Sequence, residues 1–458
     1  MATPLRNAVR VVGGGPQATD RFAKRKTMGI LEELKWRGLL HQTTGGEALI
    51  AHLATPGRVA YSGFDPTRPS LTIGNLIPLL LLRRWQLAGH KPVLLCGGAT
   101  GLIGDPSGKD AERTLQSADQ VAEHIAGQQR IMSRLVDFTG STGPAAELVN
   151  NADWLSPMGY IEMLREVGKH FSVNAMIQRD SVRDRLENRE QGISYTEFSY
   201  VLLQAYDFLH LYRTMNCTVQ LSGSDQYGNI VSGIDLIRRL APQTDGHVEA
   251  FGITAPLVTG ADGKKIGKTE KGAIWLSPED TSPYAFYQFW INCTDADVSN
   301  FLKWYTLLSE PEITEILSDH EQDPGRRNAQ RRLAEEATTL VHGEAELRNV
   351  QQASAALFGG DIRGLSAGML DQVFADVPSS NHAVDSLGGD GVPLLSLLPE
   401  TSLASSKREA RQFLERGAVA VNGQKVDLDK RLTSADLLHG GSILLRRGKK
   451  LWHATRWK

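Results

Sequence analysis

Between residues 58 and 98 the hydrophobic side chains change their spacing twice, as expected for a strand, a helix and a second strand. The runs Arg58–Phe64 and Lys91–Gly98 are short and rich in valine or leucine, whereas Leu76–Ala88 is a longer apolar helix. Val219–Gly223 followed by Ile230–Leu240 repeats the order of strand and helix. Because strands that alternate with helices form parallel sheets covered on both faces, the pattern predicts an α/β fold with a Rossmann-like, doubly wound parallel sheet.

Elements on either side of this region divide the chain further. Ile30–Leu34 and Glu47–Leu53 have helical spacing, and residues 283–350 lose the strand signals and become helical. Residues 351–392 are rich in glycine, serine, alanine and aspartate, which is typical of a loosely packed linker. The predicted order is a disordered N-terminal extension at 1–27, a Rossmann-like domain at 28–282, an α-helical domain at 283–350, the linker at 351–392 and a small α+β domain at 393–458.

Composition narrows the class of protein. The 458 residues suffice for two or three domains, and 41% of them are hydrophobic. No apolar run is long enough to cross a bilayer, so we expect a soluble protein without a membrane partner. Cys96, Cys217 and Cys293 lie far apart and form no C-x-x-C pair. This spacing argues against a disulfide framework or a thiolate zinc site and favours the reducing cytoplasm.

Charge is distributed unevenly, although the formal net charge is only −2. Residues 393–458 hold 13 Lys and Arg against 6 Asp and Glu, whereas the rest of the chain holds 37 against 46. Because phosphate neutralisation supplies most of the sequence-independent affinity for nucleic acid, a basic module on an acidic body favours a polyanionic partner. The alternative is a solvated charged tail without a partner.

The first 27 residues are polar and basic, with six Lys or Arg and a single acid, Asp20. An organellar transit peptide is one interpretation, but the absence of serine and of an amphipathic face favours a disordered extension or a start at Met28. Gly13–Ala18 matches the dinucleotide fingerprint G-x-G-x-x-A, which would suit a nucleotide-binding oxidoreductase. The match is incomplete, because polar residues follow where the fingerprint needs an apolar helix.

Open α/β sheets bind ligands beyond the carboxyl ends of their strands, and four polar segments fall at such ends. The first is Asp65–Leu76, where Gly74 opens a helix whose N-terminus can receive a phosphate or adenine. Thr67, Thr72 and Asn75 offer hydroxyl and amide donors. The alternative explanation of these residues is an ordinary turn followed by a helix cap.

The second segment, Gly97–Lys109, is rich in glycine but is not a phosphate-binding loop of the Walker type. Ile103 stands where that pattern needs its first glycine, and Asp110 where it needs Ser or Thr. We therefore interpret the segment as a wall that presents the Asp105 carboxylate to an amine.

The third segment, Tyr195–Phe208, predicts an apolar helix with polar groups on one face. Tyr200, Gln204 and Asp207 are spaced by four and three residues, which places them on the same side. Buried polar groups cost free energy unless each has a partner, so this face either bonds to neighbouring elements or lines a polar pocket.

The fourth segment, Gln220–Asn229, has a strand-to-loop form that makes Asp225 the candidate for binding ribose hydroxyls. A separate loop, Lys264–Thr269, ends in Gly-Lys-Thr, but Asp262 occupies the first glycine position of the Walker pattern. Its three lysines are better suited to closing over triphosphate oxygens, with a solvated lysine patch as the alternative.

From about Met28 to the C-terminus the chain resembles the bacterial-type tyrosyl-tRNA synthetases, which are class I aminoacyl-tRNA synthetases. The strings that carry this likeness, besides the segments above, are Lys169–Asn174, Gly223–Gln226 and Tyr287–Asn292. The family likeness implies an enzyme that activates L-tyrosine with ATP to tyrosyl-adenylate and pyrophosphate. The enzyme then transfers tyrosine to the 3′-terminal adenosine of tRNA(Tyr). The likeness also implies Mg²⁺ accompanying ATP and a homodimer.

The same resemblance implies roles for whole segments. Residues 66–75 correspond to the HIGH region, residues 265–269 to the KMSKS region, and residues 283–350 to the part that recognises the anticodon. Residues 393–458 resemble an RNA-binding domain of ribosomal small-subunit protein four, and the strings that carry this likeness are Ser406–Arg411 and Val421–Gly423.

The resemblance further implies roles for single residues. Those implied to bind tyrosine are Tyr61 and Asp207 at the phenol hydroxyl, Asp105, Tyr200 and Gln204 at the ammonium group, and Gln226 at the carboxyl group. Those implied to bind ATP are Ser62, Gly63, Asp65, Gly74, Asn75, Gly223, Asp225 and Lys268. Those implied to stabilise the pyrophosphate during catalysis are Thr67, Thr72, Lys265, Lys268 and Thr269.

The chain departs from its family at several of these positions. Thr72 and Asn75 replace the two histidines of the HIGH region, Ser62 replaces a cysteine, and Tyr227 replaces a tryptophan. Thr-Ile-Gly-Asn is the form found in tryptophanyl enzymes, which raises the question of the amino acid that is bound. A buried carboxylate and phenol left unpaired would penalise other aromatic amino acids. Tyrosine-specific synthetases are themselves the standard example of this effect, and they discriminate against phenylalanine by a factor of about 10⁵.

Two further hypotheses follow from the unusual positions. The first, which the two missing histidines suggest, is that the protein descends from a synthetase and now serves only to bind RNA. The retained Asp105, Asp207 and Asp225 argue against this hypothesis. The fingerprint at Gly13–Ala18 allows the oxidoreductase. Tyrosine-dependent exchange between ATP and pyrophosphate separates the first hypothesis from an active ligase, and a nicotinamide spectrum would support the second.

Overall fold

The computed structural model describes residues 29–105, 116–179, 182–183, 186–187, 192–240, 249–261, 263, 266–269, 272–359, 362–375, 377–448 and 451–458. The extension expected at residues 1–27 lies outside these ranges. The chain divides into two units, the first comprising residues up to Thr281 with Trp290–Val341, and the second Ser282–Phe289 with His342–Lys458. No helix in the described part of the chain has both the length and the apolar character needed to cross a bilayer.

Six strands form the central sheet of the first unit, and a short hairpin lies outside it. The strands are β1 Gln42–Thr43, β2 Val59–Phe64, β3 Lys91–Cys96, β4 Glu147–Asn150, β5 Cys217–Gly223 and β6 Phe251–Ala255, and the hairpin is β7 Lys268–Thr269 with β8 Gly272–Ala273. The sheet order is β1-β6-β5-β2-β3-β4, and every neighbouring pair except β1 with β6 is parallel. The predicted Rossmann-like parallel sheet is confirmed.

Helices connect and follow these strands. They are α1 Ile30–Trp36, α2 Glu47–Leu53, α3 Ile73–Leu87, α4 Thr100–Ile103, α5 Ala118–Leu135, α6 Ala152–Leu155, α7 Tyr160–Glu166, α8 Val173–Ile177, α9 Tyr195–Met215, α10 Tyr227–Leu240, α11 Pro283–Ile291, α12 Asp295–Tyr305, α13 Glu310–Gln322 and α14 Asn328–His342. Helix α3 is apolar around most of its circumference and contacts β2, β3 and β5. A helix of this kind is held firmly in the core, so its N-terminus is a rigid part of the unit.

The order of the strands marks where a ligand binds. From β2 the chain continues to β3 and β4 on one side, whereas β5 and β6 lie on the other side of β2. The switch point therefore falls between β2 and β5, whose carboxyl ends are Phe64 and Gly223. Open α/β sheets bind ligands in the crevice at this point.

Two buried arginines satisfy the C-terminal end of α12. Arg84 in α3 donates to the carbonyl oxygen of Trp304 at 3.0 Å, and Arg37 donates to that of Lys303 at 2.8 Å. The last carbonyls of a helix have no partners within it, so these guanidinium groups stabilise the helix end. They attach α12 to the helices that flank the sheet, within the first unit.

The second unit combines helices with a five-stranded sheet. Its elements are α15 Glu344–Gly359, α16 Ala367–Phe374, β9 Ser379–His382, β10 Val392–Pro393, α17 Leu394–Leu397, α18 Lys407–Glu415, β11 Val419–Val421, β12 Gln424–Lys425, β13 Arg431–Leu432, β14 Ser442–Arg447 and β15 Leu451–Trp457. The sheet order is β12-β11-β14-β15-β9, and β10 pairs with β13 separately. Leu394, Leu414 and Ile443 belong to the first of two buried cores that the described residues of this unit form.

The structure differs from the expectation of a loosely packed linker at residues 351–392. Within this range, Met369, Leu370 and Phe374 of α16 are buried in the second core, which they share with Leu444 of β14. The segment has few large apolar residues, but those few meet strands that lie about seventy positions further along the chain. Its packing therefore comes from distant partners rather than from its own composition.

The three cysteines are buried free thiols. Cys96 ends β3, Cys217 begins β5, and Cys293 follows α11. Each lies in a different part of the first unit, so the thiol groups act as small apolar side chains of the core.

Candidate active site

A cavity of about 530 Å³ opens at the switch point of the central sheet. It is lined by the ends of β2 and β5, the start of α3 and the polar face of α9. The residues singled out in the sequence that line it are Tyr61, Ser62, Gly63, Asp65, Thr67, Thr72, Gly74, Asn75, Asp105, Tyr200, Gln204, Asp207, Gly223, Asp225 and Gln226. The structure thus brings four separate segments of the sequence together around one space.

At one end of the cavity Asp207 is buried and held by two donors. Its Oδ1 accepts from the Trp154 indole at 2.8 Å, and its Oδ2 accepts from the Asn151 amide at 3.0 Å. Burial raises the pKa of Asp207 to about 7, against the opposing effect of these two hydrogen bonds. The carboxylate keeps further acceptor capacity, because its two oxygens offer about four lone-pair sites.

Tyr61 lies beside this carboxylate and is 1% exposed. Burial, and to a smaller extent the charge of Asp207, raise the pKa of Tyr61 well above its ordinary value, so the phenol stays neutral. Its hydroxyl is buried without a hydrogen-bond partner in the structure. A free hydroxyl next to a carboxylate in a cavity wall is suited to a ligand hydroxyl that both donates and accepts.

Further along the wall, other polar residues are paired by hydrogen bonds in two groups. Gln226 donates to Asp105 at 2.7 Å, and Asn229 donates to the side-chain oxygens of Gln204 and Gln226 at 2.9 and 3.2 Å. Tyr200 donates to Asp65 at 3.4 Å. Because these groups hold one another in place, the wall presents carboxylate and amide oxygens to a cationic group without large side-chain rearrangement.

The other end of the cavity is the N-terminus of α3. Thr72 is the N-cap, and Asn75 forms a capping box with it, since Asn75 Oδ1 accepts from the Thr72 backbone amide at 3.1 Å and from its hydroxyl at 2.9 Å. The cap uses the carbonyl oxygen of Asn75, so its NH₂ group is the part that can donate to a ligand. A Cβ on Gly74 would meet only Thr72 Oγ1 at 3.5 Å, which leaves this surface open to close approach.

The described end of the lysine-rich loop, residues 266–269, approaches the same helix end. Gly267 has φ +83°, and a Cβ there would meet Ile73 Cγ1 at 2.6 Å, so the turn requires glycine. Ile266 and Gly267 line the cavity, and Ile73 donates its backbone amide to Ile274 at 3.1 Å. Lys265 lies outside the described residues. Lys268 and Thr269 form β7, directly after the cavity wall.

Several residues of the site were not found from the sequence. Asn151 and Trp154, which hold Asp207, follow β4. Asn229, near the start of α10, donates to two glutamines; it ends the fourth segment, but no role was predicted for it. Gln220 also lines the cavity, with Oε1 buried and without a partner. Asn151 directly follows the carboxyl end of a parallel strand, and that position is the signal that could have identified it.

Comparison with known proteins agrees with this architecture. Residues 56–359 match the family of class I tRNA synthetases (W and Y), and residues 369–455 match the C-terminal domain of the tyrosine–tRNA ligase type. A C-terminally truncated mitochondrial tyrosyl-tRNA synthetase from Aspergillus nidulans has a similar structure, with a TM-score of 0.65 and 31% identity. That similarity covers 74% of this chain and 97% of the other. The fold and site therefore define a class I tRNA synthetase.

Full-length relatives specify the family more closely. A tyrosine–tRNA ligase from Bacillus caldotenax is 50% identical over 94% of this chain and 100% of its own length. One from Rhodopirellula baltica is 48% identical over 95% of this chain and 98% of its own. The chain belongs to the tyrosine–tRNA ligases.

Proposed function

We propose that this protein joins L-tyrosine to tRNA(Tyr) in two steps within the cavity. Tyrosine first attacks the α-phosphorus of ATP through its carboxylate, which gives tyrosyl-adenylate and pyrophosphate. The 3′-terminal ribose of the tRNA then takes the tyrosyl group. The observation that carries the proposal is the pairing of a buried carboxylate and a free phenol at one end of a cavity whose other end is a helix N-terminus.

Tyrosine would occupy the end formed by β2 and α9. Its phenol donates to Asp207 and accepts from Tyr61, which gives the orphan hydroxyl of Tyr61 a partner. Asp105, Tyr200 and Gln204 would surround the ammonium group, and Gln226 would lie at the carboxyl group. All four residues line the same cavity, which supports this arrangement. The amino acid is thereby oriented with its carboxylate toward α3, and such positioning removes much of the entropic barrier to attack.

ATP would occupy the end formed by α3 and β5. The residues proposed to hold the adenosine and phosphates are Ser62, Gly63, Asp65, Gly74, Asn75, Gly223 and Asp225, with Asp225 at the ribose. Charge that develops on the pyrophosphate would be stabilised by Thr67, Thr72, Lys265, Lys268 and Thr269 and by the positive end of the α3 dipole. Mg²⁺ would enter on the triphosphate, whose oxygens are the hard ligands it prefers.

An amino-acid panel in the ATP–pyrophosphate exchange reaction tests this function. Tyrosine is expected to support exchange, whereas tryptophan and phenylalanine leave one buried polar group of the pocket unpaired and support little. Charging of tRNA(Tyr) with labelled tyrosine then tests the second step. Preference for tryptophan would contradict the assignment, and a protein that binds tRNA without any exchange would favour the former synthetase.

Replacing Tyr61 with phenylalanine should separate affinity from stability. The variant loses the hydroxyl that contacts the substrate phenol, so we expect tyrosine affinity to fall about tenfold. It also loses a buried, unpaired hydroxyl, so the free energy of unfolding should stay equal or rise by about 1 kcal/mol. Equilibrium dialysis with tyrosine and urea denaturation measure the two effects.

Tyr305→Phe is the matched control for this variant. Tyr305 is also fully buried with an unpartnered hydroxyl, but it lies in α12 and does not line the cavity. Its replacement should raise stability similarly and leave tyrosine affinity unchanged. If Tyr61→Phe binds tyrosine as the parent does, Tyr61 has no contact with the substrate hydroxyl.

Binding of tRNA would involve both the helical and the C-terminal parts of the chain. We propose that residues 283–350 recognise the anticodon region and that residues 393–458 bind RNA phosphates. In the second part, Lys407, Arg408 and Arg411 of α18 are exposed on one helix. Such a cluster supplies the salt-dependent attraction typical of RNA contacts. The proposed location is the cytoplasm, where tRNA, ATP and reduced thiols coexist.

We also propose that the protein is a homodimer, formed through an exposed apolar surface of the first unit. This apolar surface consists of Tyr160 and Ile161 of α7, Val173 and Ile177 of α8, and Tyr195 of α9, which are between 38% and 72% exposed. The hydroxyls of Tyr160 and Tyr195 are 3.2 Å apart, so neighbouring elements contribute to one patch. Contiguous apolar surface of this kind marks a protein interface.

Ile161→Glu should convert the dimer into monomers. A carboxylate at a position that is buried on association must lose its hydration, which costs more than a dimer of moderate affinity can supply. Sedimentation velocity at micromolar protein measures the change. Ile50→Glu is the control, because Ile50 is 62% exposed but lies in α2. A parent protein that sediments as a monomer, or an Ile161→Glu variant that stays dimeric, would contradict the proposed interface.

A further inference from the structure

The loop that carries Asp65 and Thr67 is held by side chains of α5 and of a residue just before this helix. Gln128 donates from Nε2 to the carbonyl oxygens of Asp65 and Arg68 at 3.2 and 3.1 Å. His124 donates from Nδ1 to that of Pro66 at 2.9 Å, and Gln116 donates to that of Thr67 at 2.9 Å. Four consecutive carbonyl groups, 65–68, are thus bonded to side chains instead of to secondary structure.

The helix also touches the loop directly. A Cβ on Gly127 would lie 2.7 Å from Cβ of Pro69 and would clash with the Pro69 carbonyl group. Glycine is therefore required there for the close approach, not for an unusual backbone angle. The next residue, Gln128, is brought within reach of the loop by this contact. The position of the loop is consequently determined by α5 as well as by its own strand and helix.

Gln128 has a second property that distinguishes it from a purely structural side chain. It is 1% exposed, lines the cavity, and its Oε1 is buried without a hydrogen-bond partner. A buried acceptor without a donor is unfavourable in the ligand-free protein. A ligand that brings an N–H or O–H group to this wall would satisfy it, and ATP carries such donors on its ribose and adenine.

We propose that Gln128 is a further residue of the ATP site, which positions Asp65 and Thr67 through the loop carbonyls and accepts a hydrogen bond from the bound nucleotide. His124 is a second positioning residue that acts through Pro66. This inference rests on the proposed function in one respect, namely that ATP is the ligand at this end of the cavity. It adds residues of α5 to the site, whereas none of the motifs identified in the sequence lies in that helix.

Two substitutions at Gln128 test the proposal. Gln128→Leu keeps a similar side-chain volume but removes both the NH₂ donor and the carbonyl acceptor. Gln128→Glu replaces the NH₂ donor with a carboxylate oxygen, which the loop carbonyl oxygens repel. Each should raise KM for ATP about tenfold or more, because both variants lose the two hydrogen bonds that hold the loop. KM for tyrosine should change much less, since no side chain proposed to bind tyrosine bonds to the loop carbonyls. The thermal midpoint of unfolding should fall in both variants, because two loop carbonyl groups lose their donor. Gln129→Leu and Gln129→Glu, one position along the helix, are the matched controls.

A third variant tests the positioning without removing a polar group. Gly127→Ala pushes the loop away from α5, so it should also raise KM for ATP more than KM for tyrosine. An unchanged KM for ATP in both Gln128 variants would overturn the proposal. So would parallel changes in the KM values for ATP and for tyrosine, because a general loss of packing affects both substrates.

ATP binding without amino acid separates this inference from the proposed function. Equilibrium dialysis with labelled ATP should show weaker binding for Gln128→Leu than for the parent and for Gln129→Leu. A parent that binds ATP but supports no exchange would contradict the proposed function and leave the comparison of Gln128 variants valid. A parent that does not bind ATP would contradict both.

Discussion

Replacing Asp207 with asparagine is expected to lower kcat/KM for tyrosine in ATP–pyrophosphate exchange by about 10²–10³-fold. The carboxylate accepts from Trp154 and Asn151 and is proposed to accept from the substrate phenol as well. Asparagine offers one acceptor oxygen and one NH₂ group. At least one of the three donors, namely Trp154, Asn151 or the substrate phenol, would then face the NH₂ group and lose its hydrogen bond. A lost hydrogen bond to a charged group together with an unpaired buried donor corresponds to about 3–4 kcal/mol, which gives the expected factor.

The same carboxylate predicts a pH dependence of tyrosine binding. Burial raises the pKa of Asp207 to about 7 in the ligand-free protein, so the group becomes protonated as pH falls through 7. A substrate phenol that donates to the ionised form binds that form better. Tyrosine affinity should therefore decrease below pH 7 in the parent, and it should be nearly independent of pH from 6 to 8 in Asp207→Asn. Equilibrium dialysis across this range measures both.

Asp153→Asn is the matched control for the Asp207 variant. Asp153 is exposed in α6, next to the Trp154 that donates to Asp207. The same chemical change there should leave exchange and its pH profile as in the parent. An Asp207→Asn protein with parental kcat/KM for tyrosine would show that the carboxylate does not bind the substrate.

Lys268→Ala is expected to slow adenylate formation by about 10²–10³-fold, the usual effect of removing one group that stabilises transition-state charge. Lys268 follows Gly267, which lines the cavity and packs on the first residue of α3. The proposed role concerns the pyrophosphate alone, so the dissociation constant for tyrosine should change little. Rapid quench under single-turnover conditions measures the first quantity, and equilibrium dialysis the second.

Lys91→Ala provides the comparison for this variant. Lys91 begins β3, at the amino edge of the sheet opposite the cavity, and pairs with Glu147 at 2.8 Å. Its loss should not alter the single-turnover rate. Equal rates for Lys268→Ala and the parent would reject the proposed role of the lysine loop.

Much of the fold could be predicted because the informative features are local. The apolar run at 91–98 and the apolar helix that begins at Ile73 each reveal their structure within a few residues. The polar face of α9 is similar, since Tyr200 and Asp207, which their spacing places on one face, are both buried and line the cavity. Open α/β sheets bind ligands at the carboxyl ends of their strands, so the sequence alone also predicted that these segments lie around one cavity.

The remaining residues could not be found in this way because their partners are distant in sequence. Asn151 lies 56 positions from Asp207, and Gln128 lies 63 positions from Asp65. Neither residue belongs to a motif, and each gains its role only when strands and helices pack. The capping box of Thr72 with Asn75 is intermediate, because its three-residue spacing is visible but the direction of the amide depends on the folded helix end.

The three native cysteines are too deeply buried to interfere with labelling of the chain at a new site. Burial raises the pKa of Cys96 and of Cys293 to about 12, and that of Cys217 further still. Thiolate is the reactive form, so at neutral pH none of the three competes for an alkylating reagent. A single cysteine introduced on the surface of α18 would then be the one site that takes a maleimide dye. Fluorescence from that dye could follow the arrival of tRNA without prior removal of the native cysteines.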